Sequence, residues 1–248
     1  MRAMLRSRFG LALRARGLAA AVAASVALVA APAARAETHD EIAVGGTARA
    51  LRSASANAVT GDDLAGAAIW AARDIGHDLG LELGDPLGDD PRGGPLRRLT
   101  VWAGAGVEMT SARGTMFQSL STRIEELAIT GGLAVRYRIH RVVAAGARLA
   151  IGAERARLAI TDRSATADDH GWTAIASTTA AVDVTPLALS RFGLGVRAEL
   201  GYVFSRGVAL TPRIERDGDA MPLPATEVSI GRLDLGGPSA TLALLGRF

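Results

Sequence analysis

The sequence contains no cysteine. A disulfide framework, cysteine-ligated zinc, a thiol nucleophile and an acylated lipobox cysteine are all excluded by that absence. Lysine is also missing, so all 28 basic residues are arginine. After residue 36 there is no uncharged apolar run of the ~18–20 residues that a spanning helix needs, which excludes a helical membrane protein. A genuine basic excess is lacking too. Arg2, Arg6, Arg8, Arg14, Arg16 and Arg35 fall in the first 36 residues, where there is no acid. Of the 28 arginines, 22 then remain against 25 acidic residues, a net charge of −3. The pI near 10.4 therefore describes an N-terminal segment rather than a polyanion-binding surface, and no nucleic-acid partner is expected.

Residues 1–36 read as a secretory signal peptide. The basic stretch MRAMLRSRFGLALRAR precedes the apolar run Gly17–Ala30, and Ala34-Arg35-Ala36 places small residues at −3 and −1 of a cleavage site. No consecutive Arg-Arg pair stands in the basic region, which favours the general secretory route over the twin-arginine one. The mature domain is expected to span 37–248.

Period-2 alternation dominates that domain. Phe192, Leu194, Val196, Ala198, Leu200, Tyr202 and Phe204 share one face, while Gly193, Gly195, Arg197, Glu199 and Gly201 share the other. Leu127–Ile139 repeats the pattern with Arg136 and Arg138 on the second face. Val143–Ala153 continues it, with Arg148 and Glu154 opposite. Weaker copies carry Arg49 (42–50), Trp102 and Glu108 (99–109) and Asp183 (172–184). Each segment is ~9–13 residues long, the length a tilted strand needs to cross a bilayer. A soluble periplasmic β-sandwich is the alternative fold, since its strands alternate as well.

The connections alternate in length. Short turns are expected at His140-Arg141 and Thr185–Arg191, with longer polar links at Ser53–Asp62, Ser111–Ser121, Thr161–Gly171 and Arg206–Pro224. The last of these holds three prolines and an acidic cluster, so its tip is expected to be solvated. The chain closes on Leu242, Leu244 and a terminal Phe248, apolar at alternate positions. This ending resembles the C-terminal signal of small bacterial outer-membrane β-barrel proteins. The resemblance implies presentation of the last strand to the barrel-assembly machinery, contact with outer-membrane lipid, and residence in the outer membrane of a Gram-negative bacterium. It also makes Tyr137, Phe192 and Phe248 a periplasmic aromatic rim, and Trp172, Tyr202 and Phe204 an outer one.

The expected fold is all-β, an up-and-down antiparallel transmembrane barrel of eight strands near 41–52, 63–74, 97–110, 122–139, 142–158, 171–185, 190–206 and 226–248. Ten strands is the alternative, through Leu79–Leu83 or a separation at Gly236-Gly237. The segment 63–75 fits a strand or a helix capped by Asp62.

Arg49, Glu108, Arg136, Arg138, Arg148, Glu154, Asp183, Arg197 and Glu199 would face the lumen and must pair there, because an unpaired buried ion costs several kcal/mol. They are expected to form a salt-bridged plug, since eight strands leave room only for side chains. Of the four histidines, His170 beside Asp168 and Asp169 is the best candidate for chemistry, yet Asp-Asp-His-Gly is ordinary turn composition. Gly104-Ala-Gly106 and Gly193-Leu-Gly195 lack the lysine and strand-to-helix context of a phosphate loop, so close backbone packing is their expected role. No catalytic, cofactor or metal site is expected. The favoured function is a non-catalytic barrel with surface loops and an adhesion or envelope role. A small-solute or hydrophobic-molecule transport barrel and an outer-membrane lipid-modifying enzyme are the alternatives. The ligand of the surface loops is not readable from the sequence.

Overall fold

A computed structural model describes residues 40–76, 79, 98–116, 120–162, 166–189, 192–214 and 231–248. The segment 1–36 lies outside them. Within them run β1 (Asp40–Arg49), α1 (Ala54–Val59), β2 (Leu64–Asp74), β3 (Leu99–Met116), β4 (Leu120–His140), β5 (Val143–Thr161), β6 (Thr166–Leu189) and β7 (Phe192–Ser205). They are followed by β8 (Val208–Leu210), β9 (Arg213–Ile214), β10 (Gly231–Leu233) and β11 (Gly237–Arg247).

The strand order β5-β4-β3-β2-β1-β11-β7-β6 is completed by pairing of β5 with β6, so eight antiparallel strands close into a ring. Closure leaves no unpaired edge in hydrocarbon, where each bare backbone group would cost several kcal/mol. It also removes the sandwich alternative, which needs two separate sheets. The segment 63–75 is strand β2, with Ala43, Gly45 and Thr47 of β1 opposite Trp70, Ala68 and Gly66. A break does fall before Gly237, but β10 pairs with β8 outside the ring rather than adding strands to it. The Leu79–Leu83 strand considered above lies outside the described residues beyond Leu79.

Paired residues followed round the ring from Glu41 are Ala72, Gly104, Gly132, Ala150, Ser177, Val203 and Gly237. Gly237 meets β1 again at the level of Leu51, beyond the Arg49–Ser239 pair. That stagger of about ten residues tilts the strands by roughly 40°. Both ends of the ring's chain meet at one rim, where Asp40 and Phe248 exchange backbone hydrogen bonds of 2.8 and 2.9 Å.

The faces are inverted relative to a soluble protein. Leu149, Ile151, Leu200, Leu242 and Leu244 are 64–72% exposed on the outside, whereas Glu41, Arg49, Glu154 and Asp183 are at most 1% exposed within. Such a surface is stable only against lipid. The six rim aromatics all point outward, and the Tyr202 and Phe204 rings stack at 4.7 Å. From Phe192 to Phe204 the strand covers ~40 Å, or ~30 Å along the membrane normal at this tilt, which matches a hydrocarbon core.

Three connections differ from expectation. Ser111–Ser121 and Thr161–Gly171 are largely strand, because β3–β4 and β5–β6 continue as long hairpins beyond the outer rim. Their polar composition reads as loop, but Ala112, Ile124, Ala156 and Leu158 still alternate inward and bury against an apolar cluster. Thr185–Arg191 is also mostly strand, with a register shift between Val184 and Leu187 where Pro186 has no N–H to give the ladder.

The apolar cluster is the second departure. Ser53 Oγ caps α1 by accepting from Ala56 N at 3.0 Å and donates to the Asp234 carbonyl at 2.7 Å. Thr60 Oγ1 donates to the Arg113 carbonyl at 2.7 Å, and Thr122 Oγ1 donates to that of Val59. So anchored, Ala56, Val59, Leu64, Val208, Leu210, Leu233 and Leu235 fill the outer mouth against Ile124 and Leu158. The expected polar links at Ser53–Asp62 and Arg206–Pro224 thus turn inward in their described parts, Gly207 making the reversal into β8 at φ 74°. Residues 215–230, which hold the expected solvated tip, lie outside the described residues.

The lipid-facing assignment carries a direct test. Leu200→Arg, near the middle of the β7 apolar face, should destabilise the barrel by ~2–4 kcal/mol in equilibrium urea unfolding in vesicles. An equal loss for an arginine placed at exposed Ser121, on the extension beyond the membrane, would show that the band has been drawn at the wrong height.

Candidate functional site

Alternate residues of every ring strand point into the lumen, and the charged ones gather in two layers. The inner layer, near the rim with the termini, is centred on Glu41. Arg136 donates to both of its carboxylate oxygens, Arg197 donates to them at 2.9 and 3.1 Å, and Arg247 Nε lies 3.4 Å away. Asp183 receives Arg197 Nε at 2.7 Å and Nη2 at 2.9 Å, together with Arg247. Five strands (β1, β4, β6, β7 and β11) are thereby tied by two carboxylates and three guanidinium groups.

The outer layer is centred on Arg49. Its Nη2 donates to Glu108 at 2.8 Å and its Nη1 to Glu126 at 2.9 Å, with Glu154 at 3.8 Å. Thr110 Oγ1 donates to the second oxygen of Glu126 at 2.8 Å, and Ser205 donates to Glu154. Between the layers Arg148 Nη2 donates to Glu199 at 2.7 Å. The inner layer has an arginine in excess and the outer layer two glutamates.

Two indoles support these guanidinium groups. Arg148 lies 4.5 Å above the Trp70 ring, and Arg136 lies 4.7 Å above that of Trp102, whose Nε1 donates to Thr100 Oγ1 at 2.9 Å. A desolvated stack of this kind is worth ~2 kcal/mol. The Gly104-Ala-Gly106 pattern seats Trp70: a Cβ at either glycine would come within 2.8 Å of the indole. Between the layers remains a cavity of about 60 Å³, bordered by Arg49, Trp70, Glu108, Arg148, Ser177 and Glu199. That volume holds a few waters and no sizeable solute.

Of the sequence-derived lumen residues, Arg136, Asp183 and Arg197 meet in the inner layer, Arg49, Glu108 and Glu154 in the outer, and Arg148 and Glu199 between them. Arg138 is half-buried on the same face of β4, two residues nearer the rim. Sequence reasoning missed Glu41, Glu126 and Arg247. Glu126 was legible, since it continues the even-numbered inward face of β4 one step beyond the segment that was read. Glu41 stands just after the expected cleavage site and Arg247 within the expected terminal signal, and each was absorbed by those stronger patterns. Leu242 and Leu244 lie on the outer face of β11, and Phe248, just past its end, is exposed as well.

Asp168, Asp169 and His170 do not converge. Asp168 points outward and binds Arg157, Asp169 accepts from Thr211 N at 2.6 Å, and His170 is exposed opposite Arg157. Among the described residues no group of His, Asp and Glu has a geometry suited to a metal ion.

No protein-family model matches the sequence, and no curated protein does either. Among solved structures it is similar to Ail, the attachment invasion locus protein of Yersinia pestis, with TM-score 0.44, 12% identity, and coverage of 86% of this chain and 100% of that one. Ail with the heparin analogue sucrose octasulfate matches at TM-score 0.41, 12% identity and the same coverage. Neisserial surface protein A matches at TM-score 0.40 and 7% identity, over 86% of this chain and 96% of that one. Both proteins are small bacterial outer-membrane barrels. The ring closure described above rests on this chain's own strand pairing.

Removing the Glu41 charge strands three arginines on a single aspartate. Glu41→Gln should therefore cost ~3–5 kcal/mol, read as a lower urea midpoint or a lower temperature at which the folded band is lost on SDS gels. Adding Arg136→Met should recover part of that loss. Additive losses in the double variant would mean that the two groups do not act as a pair.

Proposed function

We propose that the protein is a closed, non-catalytic barrel of the Gram-negative outer membrane, exported by the general secretory route. In this reading it serves an envelope or adhesion role through the structure it raises above the membrane. The observation that carries this reading is the filled lumen: two salt-bridged layers inside the membrane and an apolar plug in the outer mouth. A transport path would need a continuous polar route, and among the described residues Leu210, Leu233 and Leu235, all at most 1% exposed, stand across it. The extended β3–β4 and β5–β6 hairpins supply instead a rigid wall, held from within by the plug, on which a surface can be displayed.

Two measurements test the reading. The chain expressed with its leader should appear in the outer-membrane fraction as a band whose mobility shifts on boiling, because a ring without edges resists SDS until heated. Reconstituted into a planar bilayer, it should show no steady conductance above the bare membrane. A stable open channel would favour transport, and an unshifted band in the soluble periplasm would remove the barrel reading altogether.

A further inference from the structure

The outward faces of β3, β4, β5 and β6 change character where they leave the apolar band. Strand pairing sets their residues in three successive rows. The first, which reaches the outer aromatic rim at Trp172 and descends toward β3 with the tilt of the strands, is Met109, Leu127, Arg155 and Trp172. The second is Ser111, Glu125, Arg157 and His170, and the third is Arg113, Arg123, Ala159 and Asp168. Neighbouring strands are ~4.8 Å apart and successive outward residues ~7 Å apart, so four arginines occupy a patch about 15 Å across. At the ends of β1, β2 and β11 the corresponding outward row is Ala48, Ala65 and Ala240.

The acids present do not neutralise this patch. Glu125 lies 3.0 Å from Arg123 and 3.7 Å from Arg157, and Asp168 also binds Arg157. Among the described residues neither Arg113 nor Arg155 has a carboxylate partner. Arg113 moreover stands directly across the ladder from Arg123. Like charges placed opposite one another destabilise a strand pair unless an anion lies between them. Arg155 is paired with Trp172, whose indole marks the boundary of hydrocarbon and headgroup.

We infer that Arg113, Arg123 and Arg155 form a binding site for the phosphate groups of the outer-leaflet glycolipid. The height of the patch selects this occupant. It faces sideways, continuous with the lipid-contacting surface and within one or two residues of its rim, where headgroup phosphates lie and a soluble polyanion would have to displace them. Guanidinium groups suit the role, since each offers a bidentate fork to a phosphate. The inference rests on the outer-membrane reading above and adds a ligand class to it.

The test uses the full chain exported in a Gram-negative host, extracted in detergent and reconstituted in phosphatidylcholine vesicles that contain bis-phosphorylated lipid A. Glycolipid retained per protein after washing is measured by phosphorus assay and mass spectrometry. Arg113→Ala and Arg155→Ala should each lower retention roughly fivefold. The wild type should retain the dephosphorylated glycolipid no better than the double variant does. The double variant should keep the boiling-dependent gel shift, because neither side chain supports the fold. Equal retention by wild type and double variant would overturn the inference while leaving the barrel intact. Competition by inorganic phosphate or a soluble sulfated saccharide at comparable concentration would also overturn it, by showing a general anion site. A chain absent from the outer-membrane fraction would overturn both this inference and the reading beneath it.

Discussion

The Glu41 carboxylate is the constraint on which the rest of the structure depends. It lies on the first strand, one residue into the ring, and receives guanidinium groups from β4, β7 and the last strand β11. β1 and β11 are far apart in sequence, and the backbone ladder between them forms only when the ring closes. The Glu41–Arg247 contact and the Arg247–Asp183 pair sit at that seam and connect it to β6, two strands away. In a lumen without bulk solvent, a charge left alone costs more than the pair returns. Incomplete closure therefore carries the desolvation penalty of several ions at once, which favours the closed ring over partly assembled states.

That electrostatic core explains why the barrel needs a different plug at its outer end. Salt-bridged layers satisfy the lumen where the wall is surrounded by lipid. Beyond the membrane, among the described residues, the wall continues on one side as the long β3–β6 hairpins. There the inward face turns from charged to apolar, from Glu126 and Glu154 to Ile124, Ala156 and Leu158, and α1 with β8 and β10 covers it. The extension is thus a small two-layer core built on a transmembrane base, with hairpins stiffened by burial rather than by length. The same strands can then carry arginines on their outer face without losing their pairing.

The fold was largely legible because a barrel writes itself in period 2. Ring strands β1–β7 were readable to within a few residues at most ends, and the inward parity of Arg49, Arg136, Arg197 and Glu199 followed from it. What could not be read is where alternation continues under a polar composition. At Ser111–Ser121 and Thr161–Gly171 small or polar residues such as Gly114 and Asp169 interrupt the inward face, and only the plug behind them makes that face an interior. That plug comes from residues distant in sequence, which local pattern cannot reveal. The ambiguity of 63–75 has a similar cause: alanine and glycine suit a narrow lumen, a crowded ladder and a helix alike, and the register with β1 and β3 decides between them. The partners of each lumen charge were equally beyond pattern, because the stagger of the ring, not sequence spacing, sets which inward residues share a level.

The absence of lysine acquires a physical meaning inside this framework. Arg197 addresses Glu41 and Asp183 simultaneously from one planar group, and Arg49 does the same for Glu108 and Glu126. A lysine ammonium is a compact and strongly hydrated point charge. It can reach two carboxylates only where both converge on its single nitrogen, and it has no flat face to lie on Trp70 or Trp102. It also loses its proton more readily when desolvated, which would leave the facing carboxylate bare. A lumen this narrow holds too little water to correct such a mismatch, so the planar, permanently charged and weakly hydrated side chain is what lets the ring enclose the eleven ion-paired groups of the two layers and the pair between them and remain closed.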